Sequence, residues 1–190
     1  MGKGTAVCTF AAAVTMALTS GVSPSSAAPR PAEPAAAVRG DMHVVGFDAA
    51  VARAHGYQIK TAANGRQYPA RAGAASSAVS PDNQVGGNCG ISYVYEYGIG
   101  NRAIELYTGY SETGSVYQWY WTVRLDDRGG SSYQRFQGGA NAGTWQTDRV
   151  VGGLTRGGAR ATVINGSSVA FLNDGRICSS GGPYDSTTIT

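Results

Sequence analysis

"VYQWYWTVRL", residues 116–125, sets Tyr117, Trp119, Trp121, Val123 and Leu125 at odd positions and Gln118, Tyr120, Thr122 and Arg124 at even ones. An alternation of this kind is the period of a half-buried β-strand, whose successive side chains point to opposite faces. Both tryptophans therefore fall on the buried side and read as core rather than as a sugar platform. The even half is left facing outward, polar with one aromatic ring. A strand of this type needs partners, and the chain on either side supplies them.

From Cys89 onward, runs of β-branched and aromatic residues are cut by turn signals at Gly100-Asn101, Gly129-Gly130, Gly138-Gly139, Gly152-Gly153, Asn165-Gly166 and Asp174-Gly175. The predicted strands cover 91–98, 103–111, 116–126, 132–137, 144–151, 159–164, 168–172 and 175–179. Short strands at this spacing predict an all-β domain, a disulfide-linked antiparallel β-sandwich of about eight strands over residues 87–190. After removal of a leader, Cys89 and Cys178 are the two remaining cysteines, and an even count in an exported chain favours a bridge over a metal pair or a catalytic thiol.

The leader is legible. Lys3 precedes an apolar run from Thr5 to Leu18, and Ser25, Ser26, Ala27 and Ala28 supply a small-residue cleavage context, so residues 1–27 read as a secretory signal peptide. Cys8 leaves with it. No second long apolar stretch follows, which predicts a secreted, extracellular protein with no transmembrane segment. Residues 28–40 read as an Ala/Pro-rich linker and 71–86 as a second linker. Between them, 41–70 read as a small module: Asp48 caps a short helix that Gly56 closes, and Asn64-Gly65 turns a hairpin. This N-terminal piece reads as a propeptide, a spacer or a docking element. The Arg39-Gly40-Asp41 tripeptide matches a cell-adhesion sequence, but the richness of the chain in Arg and Gly accounts for it.

Composition removes several function classes. The chain carries 15 Lys and Arg against 12 Asp and Glu, and loss of Lys3 leaves 14 against 12. No basic run interleaves with aromatics, so no nucleic-acid partner is expected. No histidine follows His55, which leaves the β-domain without a Ser-His or Cys-His relay. "GGLTRGG" at 152–158 lacks the lysine and spacing of a phosphate-binding loop. Asp126-Asp127 reads as a strand end. No catalytic residue, cofactor or metal centre is assigned.

Turn positions extend the reading to neighbouring strands. A two-residue Gly100-Asn101 loop sets Tyr97 opposite Ile104 and Tyr95 opposite Leu106, and a Thr113-Gly114 loop sets Leu106 opposite Trp121. One face then gathers Cys89, Ile91, Tyr93, Tyr95, Tyr97, Ile104, Leu106, Trp119, Trp121 and Val123. The other carries the candidate binding face: Glu96, Glu105, Tyr107, Gln118, Tyr120 and Arg124. In this register Glu96 lies opposite Glu105 and Tyr107 opposite Tyr120, with Arg124 diagonal to Glu105 as the compensating charge. Facing carboxylates could also share a proton, bind Ca²⁺ or serve as acid and nucleophile of a glycosidase.

"GGNCGISYVYEYGIGNRAIELYTGYS" at 86–111, "VRLDDRGGSS" at 123–132 and "ICSSGGPYDSTTI" at 177–189 resemble a group of small secreted β-rich proteins of high-GC Gram-positive bacteria. The resemblance implies the export route and the β-rich fold, and carries over no activity and no functional residue. The expected function is therefore a secreted, non-enzymatic extracellular binding module for a cell-wall glycan or a protein. One alternative is a small extracellular glycoside hydrolase using Glu96 and Glu105. Another is a secreted protease inhibitor or antagonist presenting the loop "GGANAG" at 138–143.

Overall fold

A computed structural model describes residues 39–73 and 88–190. The expected signal peptide, the rest of the sequence up to residue 38 and residues 74–87, most of the expected second linker, lie outside the described residues. The fold is all-β and antiparallel. In chain order its elements are β1 Arg39–Phe47, α1 Ala49–Ala54, β2 Tyr57–Thr61, β3 Gln67–Arg71, β4 Asn88–Gly100, β5 Ala103–Glu112, β6 Val116–Asp127, β7 Gly130–Gly138, β8 Thr144–Val151, β9 Gly157–Val163, β10 Val169–Leu172, β11 Arg176–Ser180 and β12 Tyr184–Ile189.

The main sheet runs in the order β12-β9-β6-β10-β11-β1-β4-β5-β8, with β7 on the other edge of β6. β6 is long enough to share one edge between two short partners. β10 pairs along Val116–Tyr120 and β9 along Val123–Asp126. β4 is divided in a similar way. β1 lies along its first half, and β12 reaches the second half through side chains, with Asp185 and Thr187 accepting from the amides of Glu96 and Gly98. The sheet thereby folds over on itself into two facing layers, a sandwich-like arrangement. Across the gap, the Trp121 indole N–H donates 2.9 Å to the Thr108 hydroxyl, joining β6 to a strand that is not its ladder neighbour.

From Trp119 to Leu125 the odd positions of β6 are buried as the alternation requires, Trp119, Trp121, Val123 and Leu125 all belonging to the core, whereas Tyr117, expected with them, is only half-buried. Tyr110 and Trp145 complete an aromatic group with Trp119 and Trp121, the Trp119 and Trp145 rings lying 4.1 Å apart. The bridge between Cys89 and Cys178 is formed, with both residues fully buried and their Cα atoms 5.9 Å apart. It joins β4 to β11, the two strands that flank β1.

The N-terminal module folds locally as the sequence predicts. Asp48 accepts from the Ala50 and Val51 amides at 2.9 and 3.0 Å, and the β2–β3 hairpin turns at Asn64-Gly65. Its first residues do more than the sequence suggests. Arg39–Phe47, read as linker end and module start, forms β1 in the interior of the main sheet, with Met42 fully buried. The Arg39-Gly40-Asp41 tripeptide is thus strand, paired with Tyr93–Ile91.

Two registers differ from expectation. The β4–β5 turn is centred on Asn101-Arg102, both with positive φ, rather than on Gly100-Asn101. A bulge at Ile99 then takes back one residue of that two-residue shift. The net slip of one residue sets Tyr95 opposite Tyr107, Tyr97 opposite Glu105 and Glu96 opposite Leu106. Since side chains alternate, this turns β4 over: Ser92, Val94 and Glu96 face inward in place of Ile91, Tyr93 and Tyr97, while Tyr95, expected with the latter, is buried at 3 % exposure beside the Tyr93 and Tyr107 rings and outside the core cluster. Cys89 stays inside because a second irregularity separates it from Ser92. Gly90 has φ +147°, and a Cβ there would meet the Ser111 carbonyl oxygen at 2.0 Å, so this bulge requires glycine. The second difference concerns Thr113–Ser115, which carries the chain from one layer to the other rather than closing a hairpin. β5 pairs with β8, and Leu106 and Trp121 belong to opposite layers.

Candidate functional site

The six residues expected on one face are distributed over three places. Glu96 is in the core at 4 % exposure, where Oε2 accepts from the Ala161 amide at 2.9 Å and Oε1 has no partner. Burial there pushes its carboxyl up to about 7, against the pull of the Ala161 amide. Glu105 and Tyr107 stand on the outer side of β5. Their cross-strand neighbours are Tyr97 and Val150 for Glu105, and Tyr95 and Asp148 for Tyr107. Glu96 and Glu105 consequently point to opposite faces of the sheet, and the facing carboxylate pair on which the hydrolase alternative depends is not formed. Tyr107 joins a group of rings with Tyr93 and Tyr95 at 5.7 and 5.8 Å and donates from its hydroxyl to the Gln146 side-chain oxygen.

Gln118, Tyr120 and Arg124 remain together on the outer side of β6. This side faces away from that of β5, because Trp121 and Thr108 make the two inner faces meet. Tyr107 and Tyr120 therefore lie on opposite outer faces of the sandwich, not side by side. Arg124 pairs with Asp126 at 2.9 Å and does not compensate Glu105.

Around Tyr120 the sequence builds an open aromatic patch. The β6–β10 ladder skips Tyr117, and this bulge brings Tyr117 to the side of the even residues. Phe171 of β10, opposite Gln118, packs its ring 5.9 Å from that of Tyr117 and edge-on to Tyr120 at 6.2 Å. Tyr120 is 41 % exposed, and its hydroxyl accepts from the Gln118 amide nitrogen at 2.6 Å. Tyr117, Gln118, Tyr120, Gln137, Gly138 and Gly139 line a shallow open depression whose floor is the edge of Trp119. Gly138 is what lets that ring lie there: a Cβ would come within 2.5 Å of the Trp119 six-membered ring. Farther along the same face stand Tyr133 beside Arg135 and Tyr184 under Arg160, the latter guanidinium 3.7 Å from the ring centroid.

Two other places are committed to holding the chain. The Asp127 carboxylate accepts from the amides of Gly129 and Thr155 at 2.6 and 2.8 Å, and these bonds hold it below the usual carboxylate range. In the 138–143 loop, Asn141 bridges to Val116 through the backbone and donates from its side chain to the Tyr110 hydroxyl at 2.8 Å. Asn141 thus ties the middle of the loop to the core, while Gly139, Ala140 and Ala142 are exposed. Tyr117 and Phe171 were missing from the sequence-based face. The alternation in 116–125 assigns Tyr117 to the core, and a ladder irregularity leaves no local signal. No helix among the described residues is long and apolar enough to cross a membrane. No protein-family model, no curated protein and no solved structure matches the chain.

Proposed function

We propose that the protein is a secreted extracellular binding module that holds a cell-wall glycan against the outer face of β6. The observation that carries this reading is exposed Tyr120 packed with half-buried Tyr117 and Phe171, beside an open depression to which Gln118 and Gln137 also contribute. Rings give a sugar face apolar area with little rotamer entropy to lose, and amides and phenol hydroxyls match its hydroxyl groups. The openness of the site suits a polymer lying across it. A buried disulfide fits the oxidising compartment to which the leader would deliver the chain.

The test is retention on insoluble bacterial cell wall and purified insoluble glycans. Tyr120→Ser with Gln118→Ala should weaken binding about tenfold or more, equivalent to about 1.4 kcal/mol. Tyr107→Ser, on the opposite face, should leave it unchanged. Equal loss from both variants, or retention only by secreted proteins, overturns the glycan reading.

A further inference from the structure

Charge is sorted between the two outer faces of the sandwich. The outward positions of β6, β7, β9 and β12 hold three arginines, Arg124, Arg135 and Arg160, against a single acid, Asp126. Those of β5 and β8 hold Glu105 and Asp148 and no basic residue. The three cations are also ordered. Arg135 lies opposite Thr122 and Arg160 opposite Asp126, so with Arg124 they occupy three successive outward rows on three adjacent strands. Rows are about 7 Å apart and strands about 5 Å apart, which makes a diagonal line in steps of about 8 Å.

Asp126 shows what this line can hold. Its carboxylate takes Arg124 Nε on one oxygen at 2.9 Å and the Ser131 hydroxyl on the other. Arg135 and Arg160 are exposed and have no acid within ion-pair distance among the described residues. Each has a hydroxyl residue directly across the ladder, Thr122 and Ser186 respectively. Each guanidinium lies over a tyrosine, that of Arg160 3.7 Å from the Tyr184 ring centre and that of Arg135 5.5 Å from the Tyr133 ring centre. Stacking of this kind holds the flat side of the cation and leaves its N–H fork at the edge, the geometry that takes a carboxylate through two bonds.

Resting on the glycan reading of the β6 face, we propose that the glycan is an acidic polymer, whose sugar-borne carboxylates seat on Arg135 and Arg160 while a sugar ring lies at Tyr120. A line of spaced cations suits a chain that carries acids along its length rather than one small anion. Tyr120 stands one outward row from Arg135, so ring contact and charge contact fall on one continuous track. Glu105 and Asp148 give the opposite face the sign that repels such a chain, and charge alone then selects the side on which it settles. A single ion pair at an exposed surface is weak, and repetition along a polymer is what makes the line effective.

The test is retention of the full-length secreted protein on insoluble bacterial cell wall in three forms: untreated, with its carboxyl groups converted to neutral amides by carbodiimide and ethanolamine, and stripped of phosphodiesters by cold hydrofluoric acid. The native protein should bind the carboxyl-blocked wall about tenfold or more weakly than the untreated wall, and lose that difference in high salt. The phosphodiester-free wall should hold it as well as the untreated one. Soluble polygalacturonate should release it, and polyglutamate of equal charge should not. Arg135→Gln with Arg160→Gln should cost about tenfold on the untreated wall and match the native protein on the blocked wall. Glu105→Gln with Asp148→Asn should not weaken retention. Equal native retention on untreated and blocked walls overturns the acidic ligand while leaving the glycan reading intact, since Tyr120→Ser with Gln118→Ala reports the ring contact by itself. Loss of retention with the phosphodiesters, equal release by polyglutamate, or a doubly Arg-substituted protein retained like the native one overturns it too. No native retention on any form of the wall overturns the glycan reading and the acidic ligand together.

Discussion

The Trp121 indole and the Thr108 hydroxyl meet across the core at 2.9 Å, and the same hydroxyl donates on to the Tyr93 carbonyl at 2.9 Å. Two layers that share no ladder at this point are thereby pinned by a polar contact inside an apolar interior. A buried N–H left without an acceptor costs about 1–3 kcal/mol, so each partner depends on the other.

Trp121→Ala should therefore cost about 3–5 kcal/mol through the cavity it opens, and Thr108→Val about 1–3 kcal/mol through the stranded indole. Urea unfolding curves of both variants check this. A Trp121→Ala protein as stable as the native chain would falsify the core assignment.

Opening the bridge by Cys178→Ser should lower stability by about 2–5 kcal/mol. The closed loop spans 89 residues in sequence, which places the entropic share near the upper end of that range. Thermal melts compared under non-reducing conditions read the difference, and two free thiols in the purified native protein would contradict it from the start.

Gly138 lies against Trp119, and Gly138→Ala should cost about 1–3 kcal/mol by forcing the ring or the strand to move. Gly139→Ala, where nothing stands within 4 Å of an added Cβ, should cost much less. Equal melting temperatures for the two would show that the ring is not held there.

Stability should decline from mildly acidic toward alkaline pH. Glu96 and Glu112 have folded-state values of about 7 and about 8, against 4.5 when unfolded. Between 4.5 and those values the folded chain holds protons that the unfolded chain has released, so each rise in pH favours unfolding. The contribution is complete below 4.5 and gone above about 8. Each unit of difference corresponds to about 1.4 kcal/mol, so the summed fall is several kcal/mol at most. Glu112→Gln should flatten the upper part of the decline in chemical denaturation at stepped pH; a variant curve parallel to the native one throughout would remove Glu112 as its source.

The residues that reveal themselves in sequence are those whose environment is set by their own strand. β6 carries its pattern from Gln118 to Leu125 without interruption, so its buried face is legible from those eight letters. β4 has an equally clear alternation, but Gly90, Ile99 and the two-residue turn each shift its phase, and a single net slip exchanges its faces. The Thr113–Ser115 connection reads as a hairpin because it is short. Its role as a crossing between layers depends on β7, β9 and β10 occupying the edges of β6, which is non-local information. The same holds for β1 and β12. "RGDMHVVGF" has two glycines and a charged start, and becomes a strand through the open edges of β4 and β11. The candidate face was half legible for this reason: Gln118, Tyr120 and Arg124 share one uninterrupted strand, whereas Glu96, Glu105 and Tyr107 were attached to it by register alone.

β1 is held at both edges by strands that follow it in sequence, yet residues 39–73 lie outside the ring closed by Cys89 and Cys178. A single peptide cleavage between 73 and 88 would thus not strip this segment away as a spent pro-region. It would convert one chain into a two-piece protein, whose short piece stays as a non-covalent subunit in the middle of the sheet. Integrity would then become a matter of dilution, and the long piece alone would carry an unfilled slot between β4 and β11 matched to one nine-residue strand.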